Sequence, residues 1–148
     1  MKITEALLAE HVVYRNMFDY IEQSAPKLST LAEVRSLACL MESLLSAHSQ
    51  AEEDLLFAPM GHCLAQIGQN DTFHLEHVEI DNSLKLAQKA AKVDLARQLL
   101  LAAVVASRKH FDKEERIIFR MAEEVLKRST LVELGKAWMQ RWELAQAG

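Results

Sequence analysis

Two stretches of this 148-residue chain carry nearly the same chemistry. His48-Ser49-Gln50-Ala51-Glu52-Glu53-Asp54-Leu55-Leu56-Phe57 recurs as His110-Phe111-Asp112-Lys113-Glu114-Glu115-Arg116-Ile117-Ile118-Phe119. Both read His-x-x-x-Glu-Glu-x-x-(Leu/Ile)-(Leu/Ile)-Phe. On an α-helix each residue advances about 100°, so a histidine and the glutamate four residues later point the same way to within roughly 40°. A neutral imidazole beside a carboxylate suits a borderline metal ion such as iron, manganese or zinc. Supplied from two helices, the motif can hold two metals with the carboxylates between them.

Periodicity and caps divide the chain into four long helices and a shorter fifth, which must position these groups. The first is expected from about Thr4 to Ser24, stopping before Pro26, with Leu7, His11, Tyr14, Phe18 and Ile21 inward. A capping box, Thr30-x-x-Glu33, opens the second, whose inward face is Val34, Leu37, Met41, Leu45, His48, Glu52 and Leu55. Ala58-Pro59-Met60-Gly61 is expected to end it and to leave His62-Cys63 in a surface loop. After the polar connection Gly68-Gln69-Asn70, Asp71 caps a third helix reaching about Ala91, with Phe73, His77, Ile80, Leu84 and Ala87 inward. Asp94 caps a fourth running to roughly Lys127, and a second box, Thr130-x-x-Glu133, starts the last helix through about Gln146. The pattern is one domain over residues 1–148: a bundle over about 4–127 and a C-terminal helix over about 130–146.

Helices joined by short connections pack antiparallel, up-down-up-down, which makes an arithmetic demand on the histidines. His11 lies 13 residues before Ser24 and His48 lies 18 after Thr30; His77 lies 14 before Ala91 and His110 lies 16 after Asp94. At about 1.5 Å per residue all four can meet at one height in the core. Glu52 falls between Leu45 and Leu55 on the inward stripe, where an ionised carboxylate without a partner would be costly. Four histidines and two such glutamates at one level call for a cation.

The order His11, His48/Glu52, His77, His110/Glu114 resembles the hemerythrin-like family, also called the HHE cation-binding domain, over about residues 5 to 120. The resemblance implies an all-α four-helix bundle around a non-haem di-iron centre. Its histidines would be terminal ligands, and Glu52 and Glu114 would bridge the irons, with an oxo or hydroxo group. It also implies a nearby open position for O₂, nitric oxide or peroxide, and an unidentified redox partner. Two departures stand out. The family's oxygen carriers have His-x-x-x-His on the third helix, where this chain has His74-x-x-His77. His77 is the favoured ligand, and His74, about 60° round the helix, is kept as a candidate ligand, with an outer or exposed place as the alternatives. The carriers also set the last carboxylate five residues after its histidine, where Glu115 stands; Glu114 mirrors Glu52 and is preferred. Glu53 and Glu115 are expected to be solvated.

With 4 Gly and 2 Pro there is little punctuation for a β-rich fold, and the formal charge of −4 gives no footprint for nucleic acid or an anionic membrane. No apolar run is long enough for a transmembrane span, no signal-peptide pattern opens the sequence, and two cysteines are too few for a disulfide framework, so a cytoplasmic location is expected. Cys39 reads as a small core residue. Tyr14, one turn after His11, is expected to pack in the core, with an approach to the site and a hydrogen bond to a ligand as the alternative. Leu131, Leu134, Trp138 and Trp142 form an apolar edge expected to pack on the bundle, with self-association as a homodimer the alternative. The leading expectation is a di-iron protein meeting a small diatomic or peroxide in stress response, sensing or iron handling. Reversible O₂ storage, or a zinc or manganese module without redox chemistry, is the rival, and a metal-free interaction protein is the third class.

Overall fold

The computed structural model describes residues 1–69 and 71–146; the side chains of residues 142 and 144–146, and with them Trp142, lie outside that description. The described residues form five helices and no strand. They are α1 (Ile3–Ser24), α2 (residues 31–66), α3 (Thr72–Lys89), α4 (residues 93–125) and α5 (Arg128–Gln146). Thr30 opens α2 as its sequence requires: the Glu33 N–H donates to Thr30 Oγ1 at 3.3 Å, and the Thr30 N–H donates to Glu33 Oε2 at 2.9 Å.

Helices α2 and α4 are each interrupted by one π turn, Glu53–Phe57 and Glu115–Phe119, at the same place in the repeated motif. The first carries α2 past the expected stop at Pro59. Pro59 lies in the first turn after the π segment, where a missing N–H costs least, and the helix runs on to Gln66. His62 and Cys63 are therefore helical rather than in a loop; His62 is exposed and lies 3.2 Å from Gln66 Nε2. The chain leaves α2 at Gly68, whose φ of 68° is the left-handed conformation glycine adopts without a Cβ penalty.

Three further expectations are corrected. Helix α4 starts at Val93 with Lys92 before it, so Asp94 lies in the first turn and pairs with Arg97 instead of capping. Helix α5 starts at Arg128, which puts Thr130 inside it; Glu133 pairs with Lys136 at 2.8 Å rather than closing a box. Cys39 is exposed, because the buried stripe of α2 runs through Val34, Ala38 and Met41 and Cys39 sits about 100° off Ala38.

Antiparallel neighbours are tied at their ends. Arg97 at the start of α4 donates to the carbonyls of Pro26 and Leu28 after α1, and Arg35 at the start of α2 donates to Ala90 O after α3. Two apolar cores lie along the bundle. One holds Phe18, Met41, Leu84, Leu100 and Phe111, the other Ile3, Leu7, Leu56, Phe73 and Ile118. Between them the buried histidine and glutamate side chains of α1 to α4 form a single layer. Helix α5 closes the second core with Leu131, fully buried, and with half-buried Leu134 and Trp138.

Gly135 lets α5 approach the start of α1, since a Cβ there would clash with Met1 O. Gly135→Ala is expected to push α5 off the N-terminus and destabilise the protein by about 1–3 kcal/mol. A thermal melt reads this as a lower midpoint; an unchanged or higher midpoint would mean that the N-terminus yields freely.

Candidate metal centre

Each of the four long helices delivers one histidine to the polar layer, and the two interrupted helices add one glutamate each. His11, His48, Glu52, His77, His110 and Glu114 are all buried, with at most 9% of any residue exposed. They fall into two groups of four, His11/His48/Glu52/Glu114 and Glu52/His77/His110/Glu114, within each of which the ligating atoms lie within 4.8 Å of one another. Both groups contain both glutamates.

The oxygens explain how. Glu52 Oε1 lies 3.2 Å from His48 Nε2 and 3.6 Å from His11 Nε2, while its Oε2 lies 3.4 Å from His77 Nε2. Glu114 Oε2 lies 3.5 Å from His11 Nε2, and its Oε1 lies 3.0 Å from His110 Nε2 and 3.7 Å from His77 Nε2. Each carboxylate thus turns one oxygen to each histidine pair. All four of these oxygens, with His77 Nε2 and His110 Nε2, are buried and make no hydrogen bond. Buried polar atoms left in that condition are costly, and here they converge on two points.

The opposite nitrogen of every ring is held. His48 Nδ1 lies 2.8 Å from Glu10, His77 Nδ1 3.1 Å from Glu53, His110 Nδ1 2.7 Å from Glu76 and His11 Nδ1 2.9 Å from Glu115. The carboxylates form a closed ring: α1 holds the histidine of α2, α2 that of α3, α3 that of α4, and α4 that of α1. A carboxylate at Nδ1 keeps the proton there and leaves the neutral ring's lone pair at Nε2, pointing inward. His11 Nε2 and His48 Nε2 lie 3.0 Å apart, within hydrogen-bond distance of one another.

Glu53 and Glu115, expected in solvent, are instead only partly exposed, at 29% and 27% of their side chains, and each is part of this ring. Glu10 and Glu76 were missed altogether. The signal was present in the repeated dipeptide Glu-His, at Glu10-His11 and Glu76-His77. His74 stands apart from the six. Its side chain is 61% exposed, and its Nδ1 lies 3.1 Å from the same Glu53 oxygen that holds His77. Tyr14 packs in the first core with its ring edge-on to His48, centroids 5.1 Å apart, and donates its hydroxyl to Leu44 O at 3.3 Å rather than to a ligand.

The π turns complete the enclosure. Five residues along an α-helix is about 140° past a full turn, whereas i→i+5 bonding brings the fifth residue back near the starting face. Phe57 and Phe119 lie five residues after Glu52 and Glu114 respectively and pack over the layer, with ring centroids 5.8 Å from His77 and 5.3 Å from His11. Phe111 stacks on His11 at 3.7 Å from the other side.

Charge in the layer is strongly coupled. Burial opposes a charge on His48, but Glu52 and Glu10 outweigh it and raise its pKa to about 10. For His77 burial is likewise outweighed, by Glu114, Glu52 and Glu53, and its pKa rises to about 11. Burial would raise the Glu52 carboxyl; the surrounding imidazoles, His48 foremost, instead hold it well below its usual range. The site demands positive charge between two carboxylates, whether from protons or from cations.

The family model described as Hemerythrin HHE cation binding domain matches residues 2–122, which takes in α1 to α3 and nearly all of α4 and leaves α5 outside. No curated protein and no solved structure gave a match.

Proposed function

Because this chain belongs to the hemerythrin HHE cation-binding domain family, we propose that its buried layer holds two iron ions and that the protein binds or reacts with O₂, nitric oxide or peroxide. The observation that carries the reading is the sharing of Glu52 and Glu114 by both four-residue groups. The donor set fits: imidazole and carboxylate suit iron in both its ferrous and ferric states, as well as zinc and manganese. His11 and His48 would hold one ion, His77 and His110 the other, and the two carboxylates would span them. When bound, such a pair supplies redox change at a position open to a small molecule.

The protein's own residues do the rest. Four protein donors from each group would leave positions free on a metal that takes six ligands. The ring of Glu10, Glu53, Glu76 and Glu115 fixes the tautomer and the rotation of each imidazole before a metal arrives. Phe57, Phe111 and Phe119 exclude bulk water, which restricts what reaches the centre to small molecules. With His74 outside the cluster, neither ion has the third histidine that the oxygen carriers give one of theirs. This favours reaction or sensing, in stress response or iron handling, over reversible storage.

Metal analysis and an absorption spectrum of freshly purified protein test the reading. One iron per group, two per chain, with charge-transfer bands in the near ultraviolet and visible, is the expected result. Zinc alone at both positions, with no visible absorption, would replace it by a metal module without redox chemistry. Glu76→Ala removes the carboxylate that holds His110 Nδ1 and pairs with Lys113 at 2.7 Å. It is expected to weaken metal affinity about 10–100-fold without lowering the count at saturation. Competition against a chelator reads this directly; wild-type affinity would deny the ring any part in metal binding.

A further inference from the structure

The buried layer must be reached from outside, and the four seams between adjacent helices are not equivalent. The α4/α1 seam is closed by Arg15, which pairs with Glu115 at 2.7 Å and Asp112 at 3.0 Å; its groove sets Arg116 and Arg120 among Glu5, Glu123 and Glu124. The α3/α4 seam is closed by Lys113 on Glu76, with Lys109 beside it. The α1/α2 seam has an almost wholly apolar lining and is covered by Met1 and by Trp138 of α5. At the first two the carboxylate that holds a buried histidine is already paired with a cationic side chain, and the third offers a surface that cannot replace an ion's water.

The α2/α3 seam differs. A cleft of about 210 Å³ there is lined by the hydroxyls of Ser46 and Ser49, by Glu42, Glu53 and Asp81, and by His74 and His77. At its inner end stands His77, the most exposed of the four buried histidines at 9%, whose Nε2 has no hydrogen-bond partner. At its mouth the outer partner of Glu53 is an imidazole, where Glu115 and Glu76 have Arg15 and Lys113. Lys85 pairs with Asp81 and, at 4.0 Å, with Glu42, but it is half exposed and leaves Glu53 to the imidazoles.

We propose that this cleft is the route by which divalent cations load the buried centre, and that His74 with Glu53 is the pair that captures the cation at its mouth. The proposal rests on the two-metal reading given above. Imidazole and carboxylate side by side replace part of the ion's hydration, and Glu53 is shared with His77, so the captured ion is already beside the first resident ligand. His74 thus acts in transit and is not part of the loaded centre. Its exposure suits that role, since a resident ligand of a buried ion would be covered.

The test is the rate at which metal-free protein takes up cobalt(II), followed by its visible absorption in a stopped-flow instrument. His74→Ala removes the capturing imidazole. Ser46→Lys sets a cation in the cleft like those that close the neighbouring seams. Both positions are exposed, so folding is not at stake. Each variant is expected to load about tenfold more slowly and still reach one cobalt per group. Lys109→Ser, in the α3/α4 groove, is expected to load at the unaltered rate. Unaltered rates in both cleft variants would overturn the route. A His74→Ala protein that ends with a single cobalt would make His74 a resident ligand and overturn the transit role. An unaltered chain that takes up no cobalt overturns the two-metal reading and this one with it; an unaltered chain that fills both groups separates the two.

Discussion

Glu52→Ala is expected to abolish binding of both metal ions rather than one. Glu52 turns Oε1 to His48 and Oε2 to His77, so it belongs to both four-residue groups. His48 belongs to only one of them, and His48→Ala is expected to leave the ion held by His77 and His110. The metal-free fold also suffers from the loss of Glu52. The Glu52 charge is the foremost of the groups that outweigh burial and keep His48 protonated. Removing one partner of a buried pair costs about 3–5 kcal/mol when the other is left without compensation, and here Glu10, 2.8 Å from His48 Nδ1, offsets part of that loss. Glu52→Gln keeps the shape and gives a variant that folds more readily, and circular dichroism checks its helix content. Metal counts on the two glutamate variants and on His48→Ala decide the matter. One ion retained by a helical Glu52→Gln protein would make Glu52 a terminal ligand, and the bridged arrangement would be lost.

How far the site was legible follows from which features have a residue-type signature. His-x-x-x-Glu puts two donors on one helical face, and the distances to the turns put four histidines at one height; both depend only on helix geometry, which sequence carries well. The antiparallel bundle is legible for the same reason, through caps and short connections. The π turns are not, because one extra residue in a turn needs no particular side chain. From that gap came the errors nearby: α2 was expected to stop at Pro59, and Leu55 was put inward where Leu56 and Phe57 are buried. Glu53 and Glu115 were assigned to solvent by counting 100° from their neighbours, a count that ignores the helix alongside. Their place is set by His77 on α3 and His11 on α1, which is tertiary information. His74 was kept as a ligand candidate on spacing alone, and spacing cannot say that the α2/α3 seam opens beside it.

Stripping the metal with a chelator is expected to lower the melting temperature by roughly 15–30 °C, by the following sum. An ion at a thousand times its Kd stabilises by about 4 kcal/mol, two ions by about twice that, and each kcal/mol shifts a domain of this size by a few degrees. The gap should also depend on pH, with a definite sign. In the stripped chain His48 and His77 have their pKa values raised from 6.5 to about 10 and about 11. A raised pKa stabilises the fold fully below pH 6.5, and that stabilisation is lost as pH climbs through 10 and 11. The depressed Glu52 works the other way, stabilising above its ordinary carboxylate range and losing the effect only in acid. Metal, by contrast, needs the imidazoles neutral at Nε2, so protons compete with it and loading strengthens as pH rises. The stripped protein weakens while the loaded one tightens, and the interval between their melting temperatures should widen from pH 6 to pH 9. Paired melts at three pH values read that interval. A gap that narrows with rising pH would mean that protons and metal do not compete for the same nitrogens, and the histidines would then have to be removed from the coordination sphere.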